Sequence, residues 1–374
     1  MDTVKTAPAY TIYKMGKLLD QSVQELDPLG FDQYFVSGEF SGCATALSAE
    51  AISAFVEGNV NQISFDTMTQ MAEVPAMAAA RDLNMIASAV TRFGIPMHTV
   101  PQLESFLILL AEKTREVPTD TVFGYGARNP KGNRRRSFTR TSEEDVFIDS
   151  FTEGMNSLIV TLAALETVQT MSLANGRYPL LVREAMYGFQ KMSESILNVR
   201  KHITPDFFTH KLRPFFEPKT IRGKTYFAAG GAQMPVTVID LILWGIEDSD
   251  RVYVGYRSEN LRYLPRFYQT QVESIFQSPS IQQTVRVELS GDVPINVKEK
   301  MQTSLNALKE LADQIIRFRA PHFGVAKANM KIRSAGSVGS GGYDIFILQH
   351  LIDRTKKFKA SLTELEKKII LDPP

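Results

Sequence analysis

Arg319 and His322 are the residues whose types and spacing most directly suggest chemistry in this chain. Met301, Leu305, Leu308, Ala312 and Ile315 recur at alternating steps of four and three, the apolar stripe of an amphipathic helix. The next two positions of that stripe are Arg319 and His322, a cation and an imidazole where core-facing residues belong. A buried charge without a partner is costly, so Arg319 needs an acceptor. Pro321 has no N–H and its ring crowds the preceding turn. It predicts a kink where the histidine turns inward, with the Arg317 carbonyl left unpaired. Gly339-Ser340-Gly341-Gly342 follows, a backbone that can approach another group closely.

A lone inward histidine is more often a hydrogen-bonded core residue than a ligand. One histidine nevertheless suffices for a heme iron, because the porphyrin supplies the other four nitrogens. Arg319, one turn earlier on the same face, is then the right type of residue to neutralise a propionate. Other chemistries are weaker. Gly124-Tyr125-Gly126 and the late glycine turn lack the strand–loop–helix setting of a nucleotide site, and no Gly-Lys-Ser/Thr occurs. The basic run Arg128–Arg140 reads as a solvated loop rather than a nucleic-acid surface. No local Ser-His-Asp pattern is present. Asp240, inside the apolar IDLILWG, reads as a buried hydrogen-bond partner.

The elements that must position these residues are helical. Apolar periodicity and Ala/Met/Leu enrichment predict helices over 10–28, 44–57, 66–93 and 103–115, with Pro75 starting or kinking one of them. Thr141-Ser142-Glu143-Glu144 offers a cap for a long helix to about Leu173. Further helices are expected over 178–202, 236–246, 253–275 and 343–370. The face of the 178–202 helix carries Leu181, Met186, Phe189, Met192 and Ile196. Thr284–Leu289 alone alternates like a strand. The fold expected is mainly α. Val117–Arg140, rich in glycine and proline, divides the chain into a helical lobe over 1–120 and a second helical domain over 121–374.

The chain has 374 residues, 42 Lys+Arg against 41 Asp+Glu, and a net charge of +1. That balance calls for neither nucleic acid nor an anionic membrane. A single cysteine, Cys43, excludes an internal disulfide and a cysteine-based metal site. Five histidines leave few candidates for a multi-histidine metal centre. Without a signal-like N-terminus or a membrane-length apolar run, the expectation is a cytoplasmic protein.

Arg317-Phe318-Arg319-Ala320-Pro321-His322, followed by Gly339-Ser340-Gly341-Gly342-Tyr343, resembles the heme-ligand region of the indoleamine/tryptophan 2,3-dioxygenase superfamily. The match is closer to its pyrrolnitrin-synthase branch, in which RFRAPH and GSGGY occur in this order. Leu212–Pro218 and the stretch Met234-Pro235 to Leu243-Trp244-Gly245 resemble that branch too. A weaker likeness joins Asn129-Pro130 and Arg136–Thr139. The likeness spans about residues 120–350.

The resemblance implies a helical heme-binding bundle in the second domain, with heme b as cofactor and dioxygen or peroxide as co-substrate. It makes His322 the proximal iron ligand and Arg319 the propionate partner. Arg213 becomes the clamp for a substrate carboxylate, a task that suits a bidentate guanidinium. Phe208 becomes an aromatic wall. Gly230, Gly231 and Ala232 match a small-residue segment over the distal heme face, and Ser340 the hydroxyl residue by the substrate's polar end. Three positions depart from the pattern. Met330 stands where the branch has a tyrosine near the substrate, the stretch to Ser340 is one residue shorter, and Thr209 replaces a second phenylalanine. The implied activity is oxidation of tryptophan or a related aromatic amino acid, halogenated or not, in bacterial natural-product biosynthesis. The implied partner is that small molecule alone, with oligomeric state open. A heme-binding sensor or carrier without turnover, and a helical protein without a cofactor, are the competing readings.

Overall fold

A computed structural model describes residues 9–245, 249–291, 293–332, 339 and 341–371. The N-terminal elements are α1 (Ala9–Gln24), α2 (Asp32–Ser37), α3 (Glu39–Thr45), α4 (Glu50–Phe55), α5 (Phe65–Gln70), α6 (Glu73–Arg92) and α7 (Pro101–Thr114). There follow α8 (Ser142–Gln169), α9 (Tyr178–His202), α10 (Pro205–Phe207), α11 (Val236–Trp244), α12 (Arg251–Leu261), α13 (Arg266–Gln277), α14 (Ile281–Glu288), α15 (Ile295–Ile332) and α16 (Phe346–Leu371). The fold is mainly α. The strands among the described residues are β1 (Lys219–Ile221) and β2 (Lys224–Tyr226), an antiparallel hairpin pairing Lys219 with Tyr226. No described helix is long and apolar enough to cross a membrane.

Helices α8 and α9 form an antiparallel hairpin whose seam is built from small residues. Thr161 Oγ1 donates to the Ala185 carbonyl at 2.8 Å, and Ser157 Oγ to the Gly188 carbonyl at 3.2 Å. A Cβ at Gly188 would collide with Thr161 Oγ1 at 2.0 Å, so the close approach requires glycine there. The expected cap of α8 forms, with Thr141 accepting from the Glu144 N–H. Helix α15 lies against α9, where Phe189 and Phe318 meet at 6.0 Å, and runs antiparallel to α16. Two pairs lace α15 to α16, Lys309 to Glu366 and Lys359 to Asp313, each at 2.7 Å.

Several expected helices divide. The 44–57 stretch splits between α3 and α4, and 66–93 between α5 and α6, while Pro265 separates α12 from α13. Pro75 sits in the first turn of α6, where its missing N–H costs little. The strand expected over Thr284–Leu289 is α14 instead. Ser280 and Gln283 form a reciprocal capping box, and Ile281 and Val285, four apart, are buried while Val287 is exposed. Pro321 does not interrupt α15, which continues eleven residues further to Ile332. Arg317, whose carbonyl the proline frees, lies on an exposed part of the helix where water can pair it.

The basic segment 128–140 is not a solvated loop. Arg136 is fully buried and grips Asp82 at 2.9 and 3.0 Å, with Asp32 on its other side. Arg128 pairs with Asp20 at 2.8 Å and Glu116 at 2.6 Å, and Arg135 with Asp145 and Asp149. The buried Glu144 carboxylate accepts from Tyr125 Oη, Ser137 Oγ, Thr139 Oγ1 and the Phe138 and Thr139 N–H groups. Buried cations this fully paired fix geometry rather than bind a partner.

Candidate active site

The cavity that matters lies between the α8–α9 hairpin and the α15–α16 pair, and has a volume of about 270 Å³. Its walls are mostly apolar, with Phe147, Phe151, Met192, Met234, Val325 and Ile347 among them. Helix α15 supplies one side from a single face. Phe318, Arg319, His322, Val325, Ala326, Asn329 and Met330 all line the cavity, the helical spacing expected of one stripe.

His322 is inside the molecule yet half-buried, because its ring faces the cavity. Neither ring nitrogen has a hydrogen-bond partner among the described residues, and the ring stacks at 6.0 Å on Phe318. Burial, helped by the Arg319 charge, holds the imidazole neutral by pushing its pKa down to about 4. A neutral imidazole with a free nitrogen is a competent metal ligand. Gly231 lies beside the ring, nearer its Cε1 than its Nε2. A Cβ there would lie 3.6 Å from His322 Cε1 and 3.8 Å from Nε2, ordinary contact distance, so the glycine backbone packs close to the edge of the imidazole. Ala232 lines the cavity beside it, and Gly230 begins the short 3-10 turn that presents both.

Arg319 has its acceptor. Its Nη2 donates to both oxygens of Asp240, at 2.7 and 2.6 Å, and its Nη1 donates to Thr355 Oγ1 at 2.6 Å and to the Leu351 carbonyl at 3.2 Å. Both Arg319 and Asp240 are buried. Asp240 is the hydrogen-bond partner expected of it, and burial raises its pKa although the guanidinium pulls the other way. The terminal nitrogens of Arg319 serve protein acceptors, and they tie α15 to α11 and α16.

Phe208, Thr209 and Arg213 also line the cavity. They belong to a π turn over Phe208–Leu212, in which the Arg213 N–H bonds the Phe208 carbonyl five residues back. The wider turn brings residues five apart to one side, where an α-helix would leave them on neighbouring faces. Arg213 Nη1 donates to the Phe216 carbonyl at 2.6 Å and to Glu217 Oε1 at 3.0 Å. The guanidinium therefore borders the cavity and takes part in a structural ion pair at the same time. Met330 lines the cavity as well, and Ser340 lies outside the described residues.

The chain's other polar features around the cavity are not apparent from local sequence. Tyr343, stacked edge-on against Tyr256 at 5.1 Å, accepts from Asn260 Nδ2 and fixes the end of the glycine turn. Gly342, at φ +77°, abuts the Phe227 ring, so it needs glycine on both counts. Ser195 and Thr209 are buried hydroxyls on the wall without hydrogen-bond partners. Among the described residues no group of three or more His, Cys, Asp or Glu could hold a metal ion.

Comparison with known families matches residues 43–369 to the family described as monodechloroaminopyrrolnitrin synthase PrnB. The chain belongs to that family. PrnB membership makes the chain one of an enzyme family of biosynthesis, and the match covers α4 to α15 entire and α16 as far as Ile369, including every wall of the cavity. The PrnB match also begins well before the stretch in which the likeness is visible by eye.

Proposed function

We propose that this protein is a heme-dependent oxidative enzyme acting on tryptophan or a related, halogenated or unhalogenated, aromatic amino acid. Membership of the PrnB family supports the reading. The observation that carries it is His322, a neutral imidazole without a hydrogen-bond partner among the described residues, facing an apolar cavity with Gly231 beside its ring. Those residues fit a heme. The donor is a single imidazole, the walls are mostly apolar, and a glycine lies beside the imidazole.

His322 would hold the iron, with the small residues Gly231 and Ala232 lining the cavity beside it. Bound heme supplies the capacity to react with dioxygen or peroxide. Asp240 and Arg319 keep α15 in register, and so hold the imidazole of His322 in place. Phe147, Phe151 and Phe208 offer flat apolar faces to an aromatic ring and keep water from it. Arg213 faces the same space as the clamp for a carboxylate. Glu217, which is partly exposed, keeps its guanidinium oriented. Incubation of the reduced heme protein with aromatic amino acids under air, followed by mass spectrometry, tests the reading. Oxygenated or rearranged amino-acid products are expected, and heme binding with every candidate returned unchanged would leave a sensor or carrier.

A further inference from the structure

Thr209 carries an inference that deepens the reading above and rests on it. Threonine hydroxyls in helical segments usually bond the carbonyl one turn back. Thr45, Thr91, Thr114 and Thr167 do so here, at 2.7, 2.8, 2.8 and 2.8 Å. Thr209 does not. The residue is 9% exposed and lines the cavity, and its buried Oγ1 has no partner among the described residues. A buried hydroxyl left unpaired is unfavourable unless a ligand completes it. Ser195, the other such hydroxyl on the wall, sits among Gly154, Met192 and Met234. Thr209, by contrast, belongs to the π turn that ends on Arg213, the cation facing the same cavity.

We propose that the Thr209 hydroxyl donates a hydrogen bond to the ligand carboxylate that Arg213 faces, and so determines specificity for amino acids over amines. Arg213 spends Nη1 on the Phe216 carbonyl and Glu217. A neutral donor four residues away on the same turn gives the carboxylate a second contact that needs no further buried charge.

Calorimetric titration of the heme-loaded protein with tryptophan and with tryptamine, which lacks the carboxylate, tests this. Thr209→Val keeps the shape and removes the hydroxyl. It is expected to weaken tryptophan roughly tenfold and leave tryptamine unchanged. Thr209→Ser, which keeps the hydroxyl, should restore most of the loss. Equal losses for both ligands, no loss for either, or no rescue by Thr209→Ser would overturn the proposal. If the parent binds both ligands and Thr209→Val keeps their ratio, only this inference fails. If the parent binds neither, the functional reading fails with it.

Discussion

Arg319 and Asp240, seventy-nine positions apart in the chain, meet in a two-pronged buried ion pair with both Nη2–oxygen distances under 2.8 Å. The pair sits one helical turn from His322 and joins α15 to α11. Breaking such a pair from one side strands a charge in a poorly solvated place. Arg319→Leu should therefore destabilise the fold by about 3–5 kcal/mol in denaturant unfolding. The double variant Arg319→Leu/Asp240→Leu should recover most of that loss. Equal stabilities for the single and double variants would contradict the pairing.

Gly231 makes a second prediction. A Cβ there meets His322 only at ordinary contact distance, 3.6 Å and beyond, so Gly231→Ala should fold with near-parental stability. It should nevertheless bind heme roughly tenfold more weakly, because the methyl group narrows the cavity beside the His322 ring. Hemin titration followed by absorbance checks it, and parental affinity would contradict it.

Glu217 separates the two roles of Arg213. The carboxylate is partly exposed, at 39%, so the pair is screened and Glu217→Ala should cost less than about 1 kcal/mol. Arg213→Ala should keep heme and lose most affinity for an aromatic amino acid, with little change for the matching amine. If Arg213→Ala loses both ligands equally or unfolds, the arginine is structural alone.

Asp120 and Lys219 give a pH dependence. They face one another by charge without an ion-pair contact, and both are buried. Burial pushes Asp120 up to about 7 and Lys219 down to about 8. A carboxyl whose pKa is raised by folding contributes stability that is complete below its unfolded value and lost as pH rises through the folded one. The stability of the parent relative to Asp120→Asn should therefore fall between about pH 4 and 7. Thermal unfolding of both proteins across that range checks the sign, and parallel curves would contradict it.

The sequence showed its helices where periodicity and caps agreed. Tyr178–His202 was legible to both ends, and Thr141 announced α8. It misled where two periods overlapped, since Thr-Val-Arg-Val-Glu-Leu alternates like a strand while Ile281 and Val285 keep helical spacing. The Ser280/Gln283 capping box, which decided the matter, was present in the sequence. The run of arginines at 134–136 looks solvated in sequence because its acids, Asp32, Asp82 and Asp145 among them, lie elsewhere in the chain.

Within the site, the stripe on α15 was legible because Arg319 and His322 break an otherwise apolar pattern. Arg319's need for an acceptor followed from its burial, but the identity of that acceptor did not. Asp240 lies on another helix, and no local spacing connects the two. Phe147 and Met192, on the opposite wall, look in sequence like any core residue, and only packing distinguishes a wall from a filled interior. The π turn that turns Phe208 and Arg213 to one side was hidden because its signal is a backbone register, not a residue type.

The central claim is that His322 is the heme ligand, and hemin titration of His322→Ala tests it most directly. The variant should fold, with far-UV circular dichroism matching the parent, and should bind little or no heme. The substitutions at His98, His202, His210 and His350 should each retain the parental Soret band. A His322→Ala protein with an unchanged Soret spectrum would contradict the account.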